Sequence, residues 1–365
     1  MKILIFNWRD ITHPSAGGSE LFIHQIAERL IKKGHQVTLF CGNHQQPNKQ
    51  DNLNGLKIIR KGGTFSLYLL TPLYYLAKLR NSCDVIIDTE NGIPFFTPLY
   101  SRKPKICLVH HIHKKQFFKE FSYPLALFGY FLETKLMPLV YRNINFITVS
   151  KSSLKELRSL GFNKDNIKII HNGIDHNFYK PDFSSKSSYP HLVCLGRIKK
   201  YKSLDILIKA MKKVVEQVPD VKLSIVGDGD NKKELEKLVE KLNLKKHINF
   251  RGFVSEEKKR EFLQRSWVAV NPSFNEGWGV TSIEANACGT PVIASDVEGL
   301  RDSVIDGKTG YLFDYGDHNM LAEKIVKVLN DEHKREKFSI NAIKWADNFD
   351  WNKSADEFEE IILSL

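Results

Sequence analysis

The sequence predicts an α/β protein made of two Rossmann-like halves, and three observations lead there. Short apolar runs at residues 3–6, 85–88, 106–109, 191–195, 221–226 and 267–270 alternate with glycine-bearing turns and amphipathic helices, the pattern of parallel strands joined by crossover helices. A chain of 365 residues is long enough for two cores. The polar stretch Pro181-Asp182-Phe183-Ser184-Ser185-Lys186-Ser187-Ser188 is its best linker, so domains are expected at 1–182 and 183–346.

Taken in order, residues 3–6 form the first strand; MKILIFNW has one lysine and too short an apolar run for a signal peptide. A loop ends in Ala16-Gly17-Gly18-Ser19-Glu20, and a helix follows through Leu21, Ile23, Ile26, Ala27, Leu30 and Ile31 as far as Gly34. Strand, glycine loop and helix make a nucleotide-binding opening, although Gly-Gly before a helix is also an ordinary turn. Residues 37–40, 56–59 and 85–88 read as strands, and 67–79 as an apolar, aromatic segment ending near Lys78 and Arg80. Asp88 and Glu90 suggest a metal pair, but no histidine or third carboxylate stands at ligand spacing, so they are read as orienting a loop.

The strand at 106–109 runs into His110-His111-Ile112-His113-Lys114-Lys115. Three histidines in four residues invite zinc, yet no further ligands can be placed. Residues 117–142 are dense in aromatics; their longest uncharged run, 121–132, is too short to span a bilayer and too apolar for an exposed helix face. Core packing or an interfacial surface beside a lipid-linked acceptor are the two readings. Ser150 ends a strand and can cap the helix at 151–160, and residues 168–170 lead to the turn His171-Asn172-Gly173-Ile174-Asp175.

The second half opens with the strand at 191–195 and the loop Gly196-Arg197-Ile198-Lys199-Lys200-Tyr201-Lys202-Ser203. Arg197 can fork onto phosphate oxygens and Lys202 adds a point charge; cations at a helix start oppose its dipole unless an anion sits there. A solvated basic loop is the alternative. Gly227-Asp228-Gly229-Asp230 contains a DxD but is read as a strand-to-helix turn. Residues 248–254 lead to a helix at 256–265, and segments near 317–330, 332–346 and 351–364 are the last helices.

Between them lies NPSFNEGWGVTSIEANACGTPVIASD, residues 271–296. It reads as loop, helix from Val280 to Gly289, and strand. Gly277 and Gly279 let the backbone approach a ligand, and the helix start is an anion site. Glu276 can hydrogen-bond hydroxyls beside that anion, and Glu284 can clamp a vicinal diol such as a ribose; a solvated loop carboxylate and a lysine-paired helix glutamate are the plain alternatives. The string resembles the donor-binding signature of the retaining nucleotide-sugar glycosyltransferases of family four: Pro272, Ser273, Glu276, Gly277, Gly279, Glu284, Ala285, Ala287, Gly289, Pro291, Val292 and Ile293 all match.

The resemblance implies the GT-B fold, two Rossmann-like domains facing a cleft, with a C-terminal helix at about 347–365 crossing back to the first domain and Trp345, Phe349, Trp351 and Phe358 anchoring it. It implies a nucleotide-sugar donor held by Gly196, Arg197, Lys202, Phe253, Val254, Glu276, Gly277, Trp278, Gly279, Val280 and Glu284. Gly17 and Gly18 would touch the donor diphosphate or the acceptor, and His110 would face the reacting carbon, with His111 and His113 as substitutes if the register slips. His110, Glu276, Arg197 and Lys202 are the expected catalytic set. Transfer of a hexose from a UDP- or GDP-sugar to a glycan or lipid-linked acceptor, as in polysaccharide biosynthesis, would retain the anomeric configuration, form an α-linkage and need neither cofactor nor metal. A nucleotide-sugar epimerase or a non-catalytic nucleotide-sugar binding module is the alternative.

Composition bounds the setting. Five cysteines stand singly, which argues against disulfides and structural zinc and fits a cytoplasm. The net charge of +12 is one-sided: residues 1–182 carry 25 Lys+Arg against 13 Asp+Glu, while residues 183–365 carry 29 of each. A basic first half draws an anionic membrane surface, hence an expected peripheral position on the inner face; nucleic acid finds no recognised motif and is not expected as a partner.

Overall fold

A computed structural model describes residues 1–14, 16–43 and 51–365. They fall into two compact units, Met1–Gly173 with Trp351–Leu365, and Ile174–Asp350. The first unit holds an eight-stranded sheet of order β3-β4-β2-β1-β5-β6-β7-β8. Its strands are β1 (Lys2–Phe6), β2 (Gln36–Cys41), β3 (Asn52–Leu53), β4 (Leu56–Arg60), β5 (Val85–Glu90), β6 (Lys105–Val109), β7 (Asn145–Thr148) and β8 (Ile167–Ile169). Only the β3–β4 pair is antiparallel among the described residues. The central strands β1, β5 and β6 carry continuous apolar runs at residues 3–6, 85–87 and 106–109 because a parallel sheet is covered on both faces.

The helices of this unit are α1 (Gly18–Lys32), α2 (Ser66–Tyr74) running into a π-helical turn at Tyr75–Leu79, α3 (Phe117–Glu120), α4 (Tyr123–Phe131), a second π turn at Leu132–Leu136, α5 (Met137–Val140) and α6 (Lys151–Ser159). Strand register shows which share a face. Phe6 lies beside Asp88, and Asp88 beside Cys107. Phe6 packs on Tyr75 after α2, while Cys107 packs with Met137 and Tyr141 at α5. So α2 and α5 cover the same side of the sheet. Replacing Phe6, fully buried between Phe40 and Tyr75, by Ala should cost about 3–5 kcal/mol.

The outer side of that layer departs from expectation. The run at 121–132 was expected to be too apolar for an exposed helix face, yet Tyr123, Leu127, Phe128 and Phe131 are exposed, as are Leu139 beyond it and Leu69 and Leu73 on α2. The reason is that α4 buries only small residues, Ala126 and Gly129. A Cβ on Gly129 would lie 2.9 Å from the Phe117 ring, so the helix sits close on its glycine side and turns its large side chains outward.

The second unit holds a six-stranded parallel sheet of order β11-β10-β9-β12-β13-β14. In chain order it comprises β9 (His191–Leu195), α7 (Leu204–Gln217), β10 (Lys222–Val226), α8 (Lys232–Lys241), β11 (Ile248–Gly252), α9 (Glu256–Arg265) and β12 (Val268–Asn271). There follow α10 (Val280–Ala287), β13 (Val292–Ser295), α11 (Leu300–Ser303), β14 (Gly310–Phe313), α12 (His318–Leu329) and α13 (Glu332–Ala346). The last helix, α14 (Trp351–Leu363), belongs to the first unit. There Trp351 and Phe358 pack on Phe22 at 6.0 and 6.4 Å, and Lys33 Nζ reaches Asp356 Oδ1 and Glu359 Oε2, each at 2.5 Å.

Trp345 and Phe349, expected among that helix's anchors, stay in the second unit, stacked edge-on at 5.0 Å. The unit limits also differ from the sequence-based ones at 182/183 and 346/347. Ile174 N donates to Phe349 O at 3.1 Å, which binds both ends of the second unit together. The presumed linker is part of that unit's body: Lys186 is half-buried, its Nζ donating to Ser266 O at 2.6 Å and Thr290 Oγ1 at 2.8 Å.

Candidate active site

Loops at the carboxyl ends of β9 and β12 meet in the second unit. Phe274 N donates to Tyr201 O at 2.8 Å, which stitches the 271–279 loop to the basic 196–203 loop. Across that seam Lys202 Nζ hydrogen-bonds Glu276 Oε1, which also accepts Ser273 Oγ at 2.8 Å. Ser273 Oγ in turn donates to Asn271 Oδ1, and Ser295 Oγ holds the Ser273 carbonyl at 2.7 Å. Burial pulls the Lys202 ammonium down, and the Glu276 charge more than reverses this, so the lysine stays protonated. Arg197 is exposed and donates to Tyr201 Oη at 2.8 Å. Gly196, Arg197, Lys202, Asn271 and Ser273 line one small recess.

The glycines shape this corner. Gly279, rather than Gly277, holds the left-handed turn (φ 72°), and α10 begins behind it with no side-chain cap, leaving its first N–H groups for an anion. Gly299, just before α11, is left-handed (φ 78°), and a Cβ there would lie 2.0 Å from Glu276 O. Ser203, before α7, also sits left-handed (φ 51°), a conformation that costs about 1 kcal/mol or more for a non-glycine residue and gathers at functional sites. Neither was legible without the neighbouring chain.

Glu284 lies one turn into α10 and is buried. Its Oε1 takes Lys259 Nζ at 2.8 Å, so the lysine-paired alternative describes half of this carboxylate; Oε2 is buried, and the Tyr179 hydroxyl, bonded to Glu256 Oε2 at 2.5 Å, also approaches this carboxyl. Burial pushes the carboxyl up, against the pull of Lys259. Phe253, at the end of β11, is 87% exposed, and Val254 beside it is half-buried. Trp278 is buried with its ring 5.1 Å from Phe349, so what it and Val280 can offer a ligand is backbone rather than an indole.

The first unit holds the other expected residues. Gly17 caps α1 in an extended conformation, and its N–H is already taken by Glu20 Oε2 at 2.7 Å; Gly18 begins the helix. His110 ends β6, 6% exposed, with its ring edge-on to Phe22 at 5.4 Å. Burial drops its pKa to about 4, and Nε2 has no partner among the described residues, so it is a neutral imidazole with a free nitrogen. Asp88 behaves as a loop-orienting group, accepting Phe95 N, Thr97 N, Thr97 Oγ1 and Tyr141 Oη. Glu90 does so with one oxygen only, accepting Gly92 N at 2.6 Å. The histidine and extra carboxylate that sequence spacing did not supply are brought to Glu90 by the fold: His113 and Glu133 place ligand-capable atoms within 4.8 Å of it and of each other.

A parallel α/β unit with a lysine, an arginine and an uncapped helix start at the carboxyl ends of its strands defines a binder of anionic, nucleotide-like ligands. The comparisons narrow this class. A family model described as glycosyltransferase family 4 matches residues 16–178, and one described as glycosyl transferases group 1 matches residues 175–345. An uncharacterized glycosyltransferase of Methanocaldococcus jannaschii is 27% identical over 98% of this chain and 96% of its own. The gpi3 subunit of the Schizosaccharomyces pombe phosphatidylinositol N-acetylglucosaminyltransferase is 24% identical over 86% of this chain and 74% of its own. Among solved structures, Anabaena HepE in complex with UDP and glucose superposes with a TM-score of 0.81 over all of both chains at 22% identity. The chain belongs to glycosyltransferase family 4, and its fold is GT-B.

Proposed function

We propose that this glycosyltransferase moves a hexose from a UDP- or GDP-sugar to a glycan or lipid-linked acceptor with retention, forming an α-linkage. The observation that carries the proposal is the Lys202–Glu276 pair, set beside Arg197 and the uncapped start of α10. A diphosphate arriving there takes Lys202 as its counter-ion and frees Glu276 to accept hydrogen bonds from sugar hydroxyls. Glu284 Oε2 is the acceptor for a ribose hydroxyl, and Phe253 offers a face for the base. In the transfer the bond from the anomeric carbon to the phosphate oxygen breaks and the acceptor oxygen bonds on the same face. The acceptor's proton passes to the leaving phosphate oxygen. Arg197, Lys202 and the helix N–H groups stabilise the charge on that phosphate, so no metal is needed at the diphosphate. His110, neutral at pH 7, serves a substrate hydroxyl through Nε2 rather than as a proton carrier.

The acceptor reading rests on the first unit. Residues 65–80 and 121–142 expose large apolar side chains, and their only acidic residue, Glu133, is buried, while Lys78, Arg80, Lys135 and Arg142 punctuate them. That combination suits the inner face of an anionic membrane, a peripheral position from which a cytoplasmic enzyme reaches a lipid-linked acceptor. The lipid acceptor in the name of the yeast relative supports the same chemistry.

The test is turnover of a panel of UDP- and GDP-sugars with anionic vesicles carrying candidate lipid-linked acceptors, the product's anomeric configuration being read by NMR. An α-glycoside from an α-linked donor is expected, and Arg197→Ala or Glu276→Ala should each cut turnover at least ~100-fold while the protein stays folded. Epimerised donor without a glycoside, or near-normal turnover in both variants, overturns the proposal.

A further inference from the structure

We infer that the first unit holds a divalent-cation site made by Glu90, His113 and Glu133, separate from the nucleotide-sugar recess. Three elements build it: Glu90 ends β5, His113 stands in the loop after β6, and Glu133 projects from the π turn at Leu132–Leu136. Neither glutamate has any exposed surface, and His113 is half-buried. Turns of π-helix inside α-helical segments concentrate at functional sites, and this one carries the glutamate that faces inward.

The geometry is that of a ligand set waiting to close. His113 Nδ1 lies 3.5 Å from Glu133 Oε1. A tetrahedral ion with ligand distances of about 2.1 Å sets its ligand atoms about 3.4 Å apart, so this pair already spans one edge. Glu90 supplies the third ligand, within 4.8 Å. Its Oε2 is buried with no hydrogen-bond partner among the described residues, and so is His113 Nδ1. A buried carboxyl oxygen left without a partner costs about 1–3 kcal/mol, and a cation bound there removes that cost.

Orientation is built in as well. Glu133 is fixed by two backbone donors, His113 N at 2.6 Å and Lys114 N at 2.7 Å, and Glu90 by Gly92 N. The His113 ring is held between His111, at 4.3 Å, and Phe117, at 5.4 Å. Such outer contacts are what hold metal ligands in place. The lysine next to His113, Lys114, spends its Nζ elsewhere, 3.8 Å from Glu156 Oε1 and 3.1 Å from Ser159 Oγ. One imidazole nitrogen and two carboxylates suit Zn²⁺, Co²⁺ or Mn²⁺ better than Ca²⁺ or Mg²⁺. When filled, the site ties β5, the His110–His113 loop and the α4–α5 segment together.

The experiment uses the full chain, stripped with a chelator and titrated with Co²⁺. Expected are one ion per chain, a visible d–d spectrum of low-symmetry nitrogen–oxygen ligation, displacement by Zn²⁺, and a rise in thermal midpoint on loading. His113→Ala should weaken binding at least ~10-fold; because Glu133 also supports backbone, Glu90→Gln is the second variant and should do the same. Binding well below one ion per chain at millimolar Co²⁺, or unchanged affinity in folded His113→Ala and Glu90→Gln proteins, overturns the inference and leaves a proton shared by the two glutamates. These readouts need no sugar substrate, so they stand apart from the test of glycosyl transfer.

Discussion

At the carboxyl end of β9 Lys202 meets Glu276, and beside it Lys259 meets Glu284; at the carboxyl end of β5 Glu90 and Glu133 meet each other and His113. The second unit thus stores its buried charge as pairs of opposite sign. An anion can enter by exchanging partners, with no charge left bare before or after. The first unit also has buried pairs of opposite sign, Arg60 with Asp10 and Arg9 with Glu20, but at the end of β5 it sets two buried carboxyl groups beside a histidine, and it dresses its outer helices in apolar side chains. The difference teaches that two sheets of similar topology carry different charge at the carboxyl ends of their strands, and it is the basis on which a phosphate is proposed for one and a cation for the other.

The largest effect on this comparison comes from Lys202→Ala, which removes the phosphate's counter-ion and leaves Glu276 beside the incoming diphosphate. The kcat/KM for donor should fall at least ~1,000-fold, more than for Arg197→Ala, whose side chain is exposed. Equal losses in the two variants would mean that the pair is not what receives the anion.

Next is the stability of the second pair. Lys259→Met leaves Glu284 buried and unpaired, and urea unfolding should show a loss of about 3 kcal/mol. Adding Glu284→Leu should restore most of it, since a well-packed apolar pair is often as stable as a buried ionic one. A double variant as unstable as the single one would assign the cost to packing instead.

A smaller effect is set by pH. His110 in the first unit and His191 in the second are each lowered to about 4, chiefly by burial, from an ordinary value of 6.5. The unfolded chain therefore binds protons that the folded one refuses. Stability should be full above pH 6.5 and decline as pH falls towards 4, by up to about 2 kcal/mol per histidine between pH 7 and 5. His191→Gln should remove about half of that slope in a folding titration. A slope unchanged in the variant would place the titrating group elsewhere.

Legibility divided along the same line. In the second unit Arg197, Lys202, Glu276 and Glu284 fall in two short strings; strand, loop and helix spacing left plain alternatives open for each, and the resemblance of those strings to the family's donor-binding signature nominated them. What remained hidden there depends on chain crossings: Gly299 against the Glu276 carbonyl, Lys259 reaching Glu284 from α9, and Trp278 turned into packing. In the first unit Glu90, His113 and Glu133 come from three separate elements, and no periodicity brings them together before the sheet is formed. The apolar run at 121–132 was expected to be too apolar for an exposed helix face; its exposure turns on Gly129 meeting Phe117, a contact that hydropathy does not encode. The strands themselves were the easiest part, since a buried parallel sheet writes its core in continuous apolar runs.

The central claim, that the second unit's paired charges receive a nucleotide diphosphate, is tested most directly by amide hydrogen exchange with and without UDP or GDP. A ligand that binds the folded state alone adds about 2.7 kcal/mol of protection at one hundred times its Kd. Slowed exchange should appear in residues 196–203, 252–254 and 272–284, and should vanish in Lys202→Ala. Protection confined to residues 1–173, or undiminished in that variant, would contradict the account.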